Sequence, residues 1–556
     1  MMNKIVLAQI DTIAGDILLN KSKIIDCIKK AQKENADLIV FPEFVLTGYP
    51  FGNILERNSD IFKYQSEALN EIADISNNIT VVMGFAECPE TSIHSTLTVI
   101  QNGKILFKIS QPEVLEFNNT RFAFLFGNSY LEDSSILESI LKHKPETIIH
   151  CDSSVSRSSK EYKKHSLFSC LAKKYSVNYI YINKVGYADN FVFDGISRIY
   201  DKSGELVLRA KAFEEDFVIT SGLKGAINEI PSGMEKPLDI DNFAINYEND
   251  LERTYKSVIF AIKEYFKKNG FKKAVLGLSG GLDSSVCAVL LVDALGTENV
   301  FGISMPSKIT SMGSKNDACI LAKNLGINFL EVPLKDCINQ TQSLLESAFQ
   351  NIKTDRTEKS TTIENLQARL RATILWSVSN EYKQMLPIAT SDKSESYIGY
   401  ATVNGDMSGG FAPIADITKT KLFALARFLN KNRQQKNAIP ESVLSKPPGA
   451  ELKINPKTGL PVYAEEDNMP YEFLDEIIWL VENKHIGKQE LISHNYLYEK
   501  SSKIDIKQKE EWINEFYWKS KCAVYKWHIM PPSVIVDVHS INSVEYHQPI
   551  ISKTFV

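Results

Sequence analysis

The segment Gly277–Ser285 (GLSGGLDSS) holds the densest set of chemically useful residues in the chain. It follows the apolar run Lys273–Leu278 and precedes a helical pattern that starts at Ser284. A helix start presents unpaired N–H groups, and glycines let the backbone approach a phosphate closely. Ser279, Ser284 and Ser285 add hydroxyl donors, and Asp283 supplies a carboxylate suited to Mg²⁺ beside phosphates. The Gly-Lys-Ser/Thr ending of a Walker loop is absent. GLSGG also satisfies G-x-S-x-G, which would make Ser279 a hydrolase nucleophile. Gly280, Gly281 and Asp283 fit pyrophosphate better than that elbow does, and an acidic helix start alone would not need three glycines.

Other clusters lie downstream. Thr361 stands three residues ahead of Glu364, the spacing of a capping box. Asn365 and Arg369 then fall four apart on one helix face, where a guanidinium can clamp phosphate. On this segment alone a solvated face with an ion pair is the simpler reading. Thr390–Glu395 (TSDKSE), Gly399–Asp406 (GYATVNGD), Asp416–Lys419 (DITK) and Pro447–Leu452 (PPGAEL) each read singly as turns. Trp512–Trp527 interleaves aromatics with Lys519, Lys521 and Lys526, which reads better as a packed amphipathic surface than as a nucleic-acid platform.

These residues must be positioned by at least two domains, because 556 residues exceed one simple core at about 100–200 residues per domain. The 63 basic and 68 acidic residues give a net charge of −5, with no general pull toward nucleic acid or an anionic membrane. No apolar run approaches the ~18 residues of a membrane span. Met1–Asp16 lacks the order of a secretion signal. The eight cysteines (Cys27, Cys88, Cys151, Cys170, Cys287, Cys319, Cys337, Cys522) show no CxxC spacing, which fits a reducing cytoplasm.

The first half alternates strands and helices. Ile5–Ile10 and Asp37–Phe41 are expected strands, flanking a helix that Asn20 would cap and whose Ile24, Ile25, Ile28 and Ala31 share one stripe. Ile79–Phe85, Ser95–Gln101, Ile105–Ile109 and Tyr179–Asn183 continue the strand pattern, and Ser153–Tyr175 turns helical in its later part. The pattern fades over 221–250, a linker with the boundary near 240. A helix from about Asp250 to Lys268 then opens a new α/β unit.

SGG-x-DS resembles the signature of the PP-loop ATP pyrophosphatases. The order GLSGGLDSS, MPSK (Met305–Lys308), Asp317–Ile327, ENLQARLR (Glu364–Arg371), KSE, GYAT, Gly405–Gly410, KPPGAEL and Asp467…Pro470-Tyr471 is similar to the NAD synthetases, specifically the long glutamine-dependent type. The resemblance spans nearly the whole second half. It implies that ATP adenylates the nicotinate carboxylate of deamido-NAD and that ammonia then displaces AMP. By the same resemblance, Gly277, Leu278, Ser279, Gly280, Gly281, Leu282, Asp283 and Ser284 hold ATP with Thr390. Lys419 contacts phosphates. Asp283 and Glu395 hold Mg²⁺, and Asn365, Arg369, Glu395 and Lys519 meet deamido-NAD. Arg371 lies in the same cleft. The chain departs from the family in having Ser391-Asp392 where Gly-Asn is usual, an added negative charge that Lys393 could meet. It also has Asn404 for Tyr and Gly449 for Ser.

Residues 1–240 resemble the nitrilase (carbon–nitrogen hydrolase) superfamily through AQID (Ala8–Asp11), ADLIVFPE…TGYP (Ala36–Pro50), YINKVG (Tyr181–Gly186) and VFDGIS (Val192–Ser197). The resemblance implies an αββα sandwich releasing ammonia from glutamine with a Glu-Lys-Cys triad. Glu43 matches the Glu and Lys108 the Lys. The cysteine of the family's Cys-Glu-Asp aligns with Leu131, which has no nucleophilic atom. Cys151 is the rival, but Ser154 and Lys160 match the following loop, which leaves Cys151 a strand residue and a small hydrophobe.

The expectation is an α/β protein with an N-terminal αββα nitrilase-like sandwich over 1–240, its glutaminase inactive, and a C-terminal doubly wound parallel-sheet PP-loop domain over 241–556. The expected cofactors are ATP and Mg²⁺. The expected partners are deamido-NAD and ammonia or glutamine, with no nucleic acid, no membrane and a homo-oligomeric assembly. A PP-loop amide ligase for nicotinate mononucleotide, and a non-catalytic scaffold, are the rival readings.

Overall fold

The computed structural model describes residues 4–57, 60–88, 93–127, 134–157, 160–223, 248–355, 360–433, 436–449, 451, 453, 462, 464–496 and 504–541. Contacts divide the chain into two compact units, Met1–Leu238 and Asp239–Val556.

The first unit is built on two six-stranded sheets. One runs β14-β1-β2-β3-β4-β5, with β1 Ile5–Gln9, β2 Leu38–Val40, β3 Thr80–Glu87, β4 His94–Gln101, β5 Lys104–Ile109 and β14 Asp216–Thr220. The other runs β13-β12-β9-β8-β7-β6, with β6 Glu113–Phe117, β7 Thr120–Phe126, β8 Thr147–Asp152, β9 Asn178–Asn183, β12 Arg198–Tyr200 and β13 Leu206–Arg209, while β10 Val185–Ala188 and β11 Phe191–Asp194 pair as a separate antiparallel ribbon. Strand side chains alternate between faces, so each sheet feeds two cores. Val6, Ala8, Ile39 and Met83 meet the helices Ile17–Lys33 and Asp60–Ile75. Leu7, Val40, Val82 and Val99 face Phe122, Phe124, Ile149, Cys151 and Ile182 between the sheets. Ala123, Leu125, Ile148 and Tyr181 pack under the helices Ser134–Lys142 and Lys160–Tyr175. The layers are therefore α, β, β, α.

The first helix starts differently from the sequence expectation. Its cap is Asp16, which accepts from Leu19 N, while Asn20 lies inside the helix and is fully buried. There the Asn20 amide donates to the carbonyls of Ile13 and Leu46 and accepts from Ile13 N. A buried amide that satisfies loop backbone outranks a cap that a nearby aspartate can supply.

The second unit carries four parallel strands in the order β17-β16-β15-β18. They are β15 Lys273–Gly277, β16 Val300–Ser304, β17 Asn328–Glu331 and β18 Met385–Pro387. The chain leaves β15 in both directions, so the strand order reverses there, and such switch points are where open α/β sheets bind ligands. The helix Leu282–Leu295 begins at the carboxyl end of β15 and buries every residue from Ser284 to Leu291. A separate cluster joins Tyr397, on the short helix Lys393–Tyr397, to Phe473, Ile477, Phe516 and Trp527 on the helices Tyr471–Lys484 and Ile506–Trp527. The aromatics of 512–527 thus serve mainly packing. Residues 224–247 of the expected linker lie outside the described residues. No helix among the described residues is long and apolar enough to cross a membrane.

Candidate active site

The turn after β15 is fixed by sterics. Gly280 has φ +76°, and a Cβ there would lie 2.0 Å from the Ser314 carbonyl oxygen. Gly281 N–H donates to Ser279 Oγ at 3.1 Å, and Ser279 Oγ lies 3.1 Å from Ser284 Oγ. Ser284 and Ser285 are buried and donate back to the Gly281 carbonyl. Their hydroxyls therefore help to shape the turn. Leu278 and Leu282 are also buried, so only their backbone is available to a ligand. Ser279 Oγ bonds to Gly281 N–H and Ser284 Oγ, neither of them a base, so among the described residues the hydrolase elbow lacks its activator.

Four ionic residues meet beside this turn. Lys419 Nζ lies 2.6 Å from Asp283, 2.7 Å from Asp392 and 3.0 Å from Glu395, and the Lys419 side chain has no exposed surface. Tyr471 donates its hydroxyl to Glu395 at 3.1 Å. Burial alone would lower the Lys419 pKa, but Asp283, Asp392 and Glu395 hold it well above its ordinary value. Burial pushes the Asp392 and Glu395 carboxyls upward, with Lys419 opposing. One cation among three acids leaves a cluster of excess negative charge, which suits a divalent cation. No group of three or more His, Cys, Asp or Glu side chains among the described residues forms a ready metal cage. Mg²⁺ in nucleotide sites is usually held by one or two carboxylates and completed by phosphates and water, and Asp283 with Glu395 fits that pattern.

The structure corrects the partner of Asp392. Lys393 points away, to Glu482 at 3.1 Å, Asp537 at 3.3 Å, Asp416 at 3.4 Å and the His539 carbonyl at 2.6 Å. Asp392 instead faces Lys419 and caps the short helix Lys393–Tyr397 by accepting from Glu395 N. Adjacent residues thus feed two separate lysine cages, because successive side chains at a helix start diverge.

Asn365 and Arg369 do share a helix face, on Thr362–Glu381. Asn365 accepts from Thr402 Oγ1 at 2.8 Å, and Arg369 donates to the Val403 carbonyl at 3.2 Å. They line a cavity of about 600 Å³ with Leu345, Phe349, Thr361 and Leu366. Thr361 is the helix cap residue, yet its hydroxyl accepts from the Asn365 amide and makes no capping bond, so the expected capping box does not form. Arg371 donates to the Met305 carbonyl, and burial lowers its pKa to about 10. Thr390 follows the end of β18, half-buried. Lys519 is engaged by Asn468 at 2.5 Å and Glu515 at 2.6 Å.

Sequence reasoning left two residues without a role. Lys446 donates to the Gly280 carbonyl at 2.7 Å, to Ser314 Oγ at 3.0 Å and to Asp317 at 3.3 Å. It ties the glycine turn to the helix Met312–Leu325. Tyr471 completes the acid cluster. Both stand in quoted motifs, and only their contacts assign them work.

In the first unit Glu43 is 7% exposed and follows β2. Burial raises its carboxyl to about 8, with Asp152 adding repulsion. Ser153 Oγ donates to the Glu43 carbonyl oxygen at 2.8 Å. Lys108 pairs with Glu87 at 2.6 Å and is 46% exposed. Cys151 points into the core between the sheets, and burial holds its thiol well above the ordinary range. Ser154 is buried and donates its N–H to Asn183 Oδ1. Leu131 and the side chain of Lys160 lie outside the described residues.

Comparison with known proteins adds the following. The NAD synthase family model matches residues 254–519, and the carbon–nitrogen hydrolase model matches 4–114. Glutamine-dependent NAD(+) synthetase of Aquifex aeolicus is 33% identical over 534 residues, covering 88% of this chain and 91% of that protein. The Thermotoga maritima protein of the same description is 33% identical over 542 residues, covering 89% and 91%. The solved structure of glutamine-dependent NAD+ synthetase from Acinetobacter baumannii, in complex with ADP, superposes with a TM-score of 0.70 at 26% identity, covering 98% of each chain.

Proposed function

The chain belongs to the glutamine-dependent NAD(+) synthetases, and from that premise we infer that it is an ATP-dependent carbon–nitrogen ligase converting deamido-NAD to NAD with ammonia as the effective donor. A carboxylate resists attack by an amine until one oxygen becomes a leaving group. In the proposed reaction a nicotinate oxygen bonds to the α-phosphorus of ATP and diphosphate leaves. Ammonia then bonds to the acyl carbon, AMP leaves, and one proton is released.

The observation that carries this reading is the meeting of the glycine turn with Asp283, Lys419 and Glu395 at the carboxyl ends of β15 and β18. The turn's N–H groups and the start of the helix Leu282–Leu295 oppose the charge that grows on the leaving diphosphate. Lys446 holds the turn in shape from behind. Asp283 and Glu395 would hold Mg²⁺, which neutralises phosphate charge when bound. Lys419 pairs with both carboxylates and holds them aligned. Asn365 and Arg369, on the wall of the neighbouring cavity, suit an anionic dinucleotide.

For the donor, Glu43 lacks a described thiol poised as a nucleophile, since Cys151 is a core residue with a raised pKa. The test supplies the purified chain with ATP, Mg²⁺ and deamido-NAD, and either ammonium or glutamine. Amide product from ammonium, and little from glutamine, is expected. Absence of product from both donors refutes the ligase reading. Glutamine-driven product that Cys151→Ala abolishes refutes only the donor.

A further inference from the structure

We propose that Gly127 occupies the place from which a thiol would have to attack glutamine, so that the first unit keeps the frame of an amidase without its reacting atom. The inference rests on reading that unit as an amidase derivative, and it moves the lost nucleophile four residues upstream of the sequence alignment at Leu131.

The argument starts from the base. A thiol attacks an amide only if a base within hydrogen-bond reach takes its proton. Glu43 is the candidate base, so the question becomes which backbone position aims a side chain at its carboxyl. β7 ends at Phe126, and Gly127 follows with φ +67°. A Cβ built on Gly127 would lie 3.9 Å from Glu43 Oε1 and would meet no other atom within 4 Å outside its immediate chain neighbours. A sulfur one bond further would fall within reach of that carboxyl. A left-handed residue at the end of a strand, followed in the chain by the helix Ser134–Lys142, is also the backbone form that exposes nucleophiles at sharp turns.

The position is held firmly. Gly127 N–H donates to the Cys151 carbonyl at 3.2 Å, and the Gly127 carbonyl lies 2.7 Å from His150 Nε2. His150 is buried, and its Nδ1 lies 2.9 Å from the Tyr179 hydroxyl. Cys151 cannot substitute from its own place. Phe126 and Cys151 are paired in register, and the Cys151 side chain faces the apolar core with Ile149 and Ile182. In a thiol amidase the sulfur–carbon bond forms, the carbon–nitrogen bond breaks, and ammonia leaves with the proton first taken by the base. Gly127 offers no atom for the first of those bonds.

The test uses the full chain. Gly127→Cys is treated with chloroacetamide, a small amide that alkylates a thiolate: a sulfur–carbon bond forms, chloride leaves and the base takes the thiol proton. Peptide mass spectrometry reads the rate at position 127 and at Cys151 across pH. We expect alkylation at position 127 at least ~10-fold faster than at Cys151. Adding Glu43→Gln should shift the pH profile at position 127. A profile that Glu43→Gln leaves unmoved overturns the proposal. A second measurement needs no variant. The unmodified chain given amide-labelled glutamine should release no labelled ammonia, and catalytic release overturns the proposal. Ammonium-driven NAD formation is scored separately, so its failure would sink the ligase reading without touching this one.

Discussion

Replacing Lys419 by methionine removes one charge and little volume from the centre of the acid cluster. The ammonium sits 2.6–3.0 Å from Asp283, Asp392 and Glu395, and Lys419 and Asp392 have no exposed side-chain surface. At an effective dielectric of about 20, each pair attracts by roughly 6 kcal/mol, and stripping water from each ion returns several kcal/mol. Breaking a buried pair from one side leaves a net cost of about 3–5 kcal/mol. At ~2 °C per kcal/mol for a unit of this size, Lys419→Met should melt about 6–10 °C lower near pH 8. The sign with pH follows from the carboxyls. Burial already raises Asp392 and Glu395, and losing Lys419 raises them further. Carboxyls with raised folded pKa stabilise most when protonated, and that stabilisation is lost as pH rises through the raised values. Acidification toward pH 5.5 should therefore narrow the gap to the unmodified chain, and so should millimolar Mg²⁺. The assay is thermal unfolding by circular dichroism at both pH values, with and without Mg²⁺. A loss below about 2 °C that ignores pH and Mg²⁺ would refute the charge-balance reasoning.

Gly280→Ala places a Cβ 2.0 Å from the Ser314 carbonyl oxygen at a left-handed φ, so the turn must open. KM for ATP in a diphosphate-release assay should rise by at least ~10-fold, or about 1.4 kcal/mol of binding; an unchanged KM counts against the turn as the phosphate cradle. Lys446→Met frees the Gly280 carbonyl and Asp317, losing charge-assisted hydrogen bonds worth about 1.5–3 kcal/mol. It should raise KM for ATP more than it lowers kcat, because Lys446 shapes the turn from behind; a pure kcat loss would contradict that role. Glu43 carries a carboxyl raised to about 8, so its contribution to stability is full below about pH 4.5 and is lost as pH rises through 8. Glu43→Gln should equal the unmodified chain near pH 4 and exceed it near pH 9 by at most about 5 kcal/mol; melts with the opposite trend would refute the assignment of a neutral buried acid.

What the sequence by itself determined was local and ordered. Glycine spacing located the turn at 277–285, since only glycine tolerates the Gly280 geometry, and the apolar run Lys273–Leu278 marked the strand that leads into it. Motif order then assigned the chemistry. Tertiary structure alone decided which charges meet. Lys393 and Lys419 look equivalent in sequence, yet each anchors a different cage, with acids drawn from five segments of chain for Lys393 and Lys419 together: Asp283, Asp392 with Glu395, Asp416, Glu482 and Asp537. The Asn20 cap failed for the same reason, because loops at Ile13 and Leu46 claimed its amide. The place of the nucleophile follows the same rule: spacing between motifs points to Leu131, whereas our proposal of Gly127 rests on the direction of a Cα–Cβ bond beside Glu43. A hydrogen bond or ion pair depends on direction and distance through space, and neither is encoded in separation along the chain.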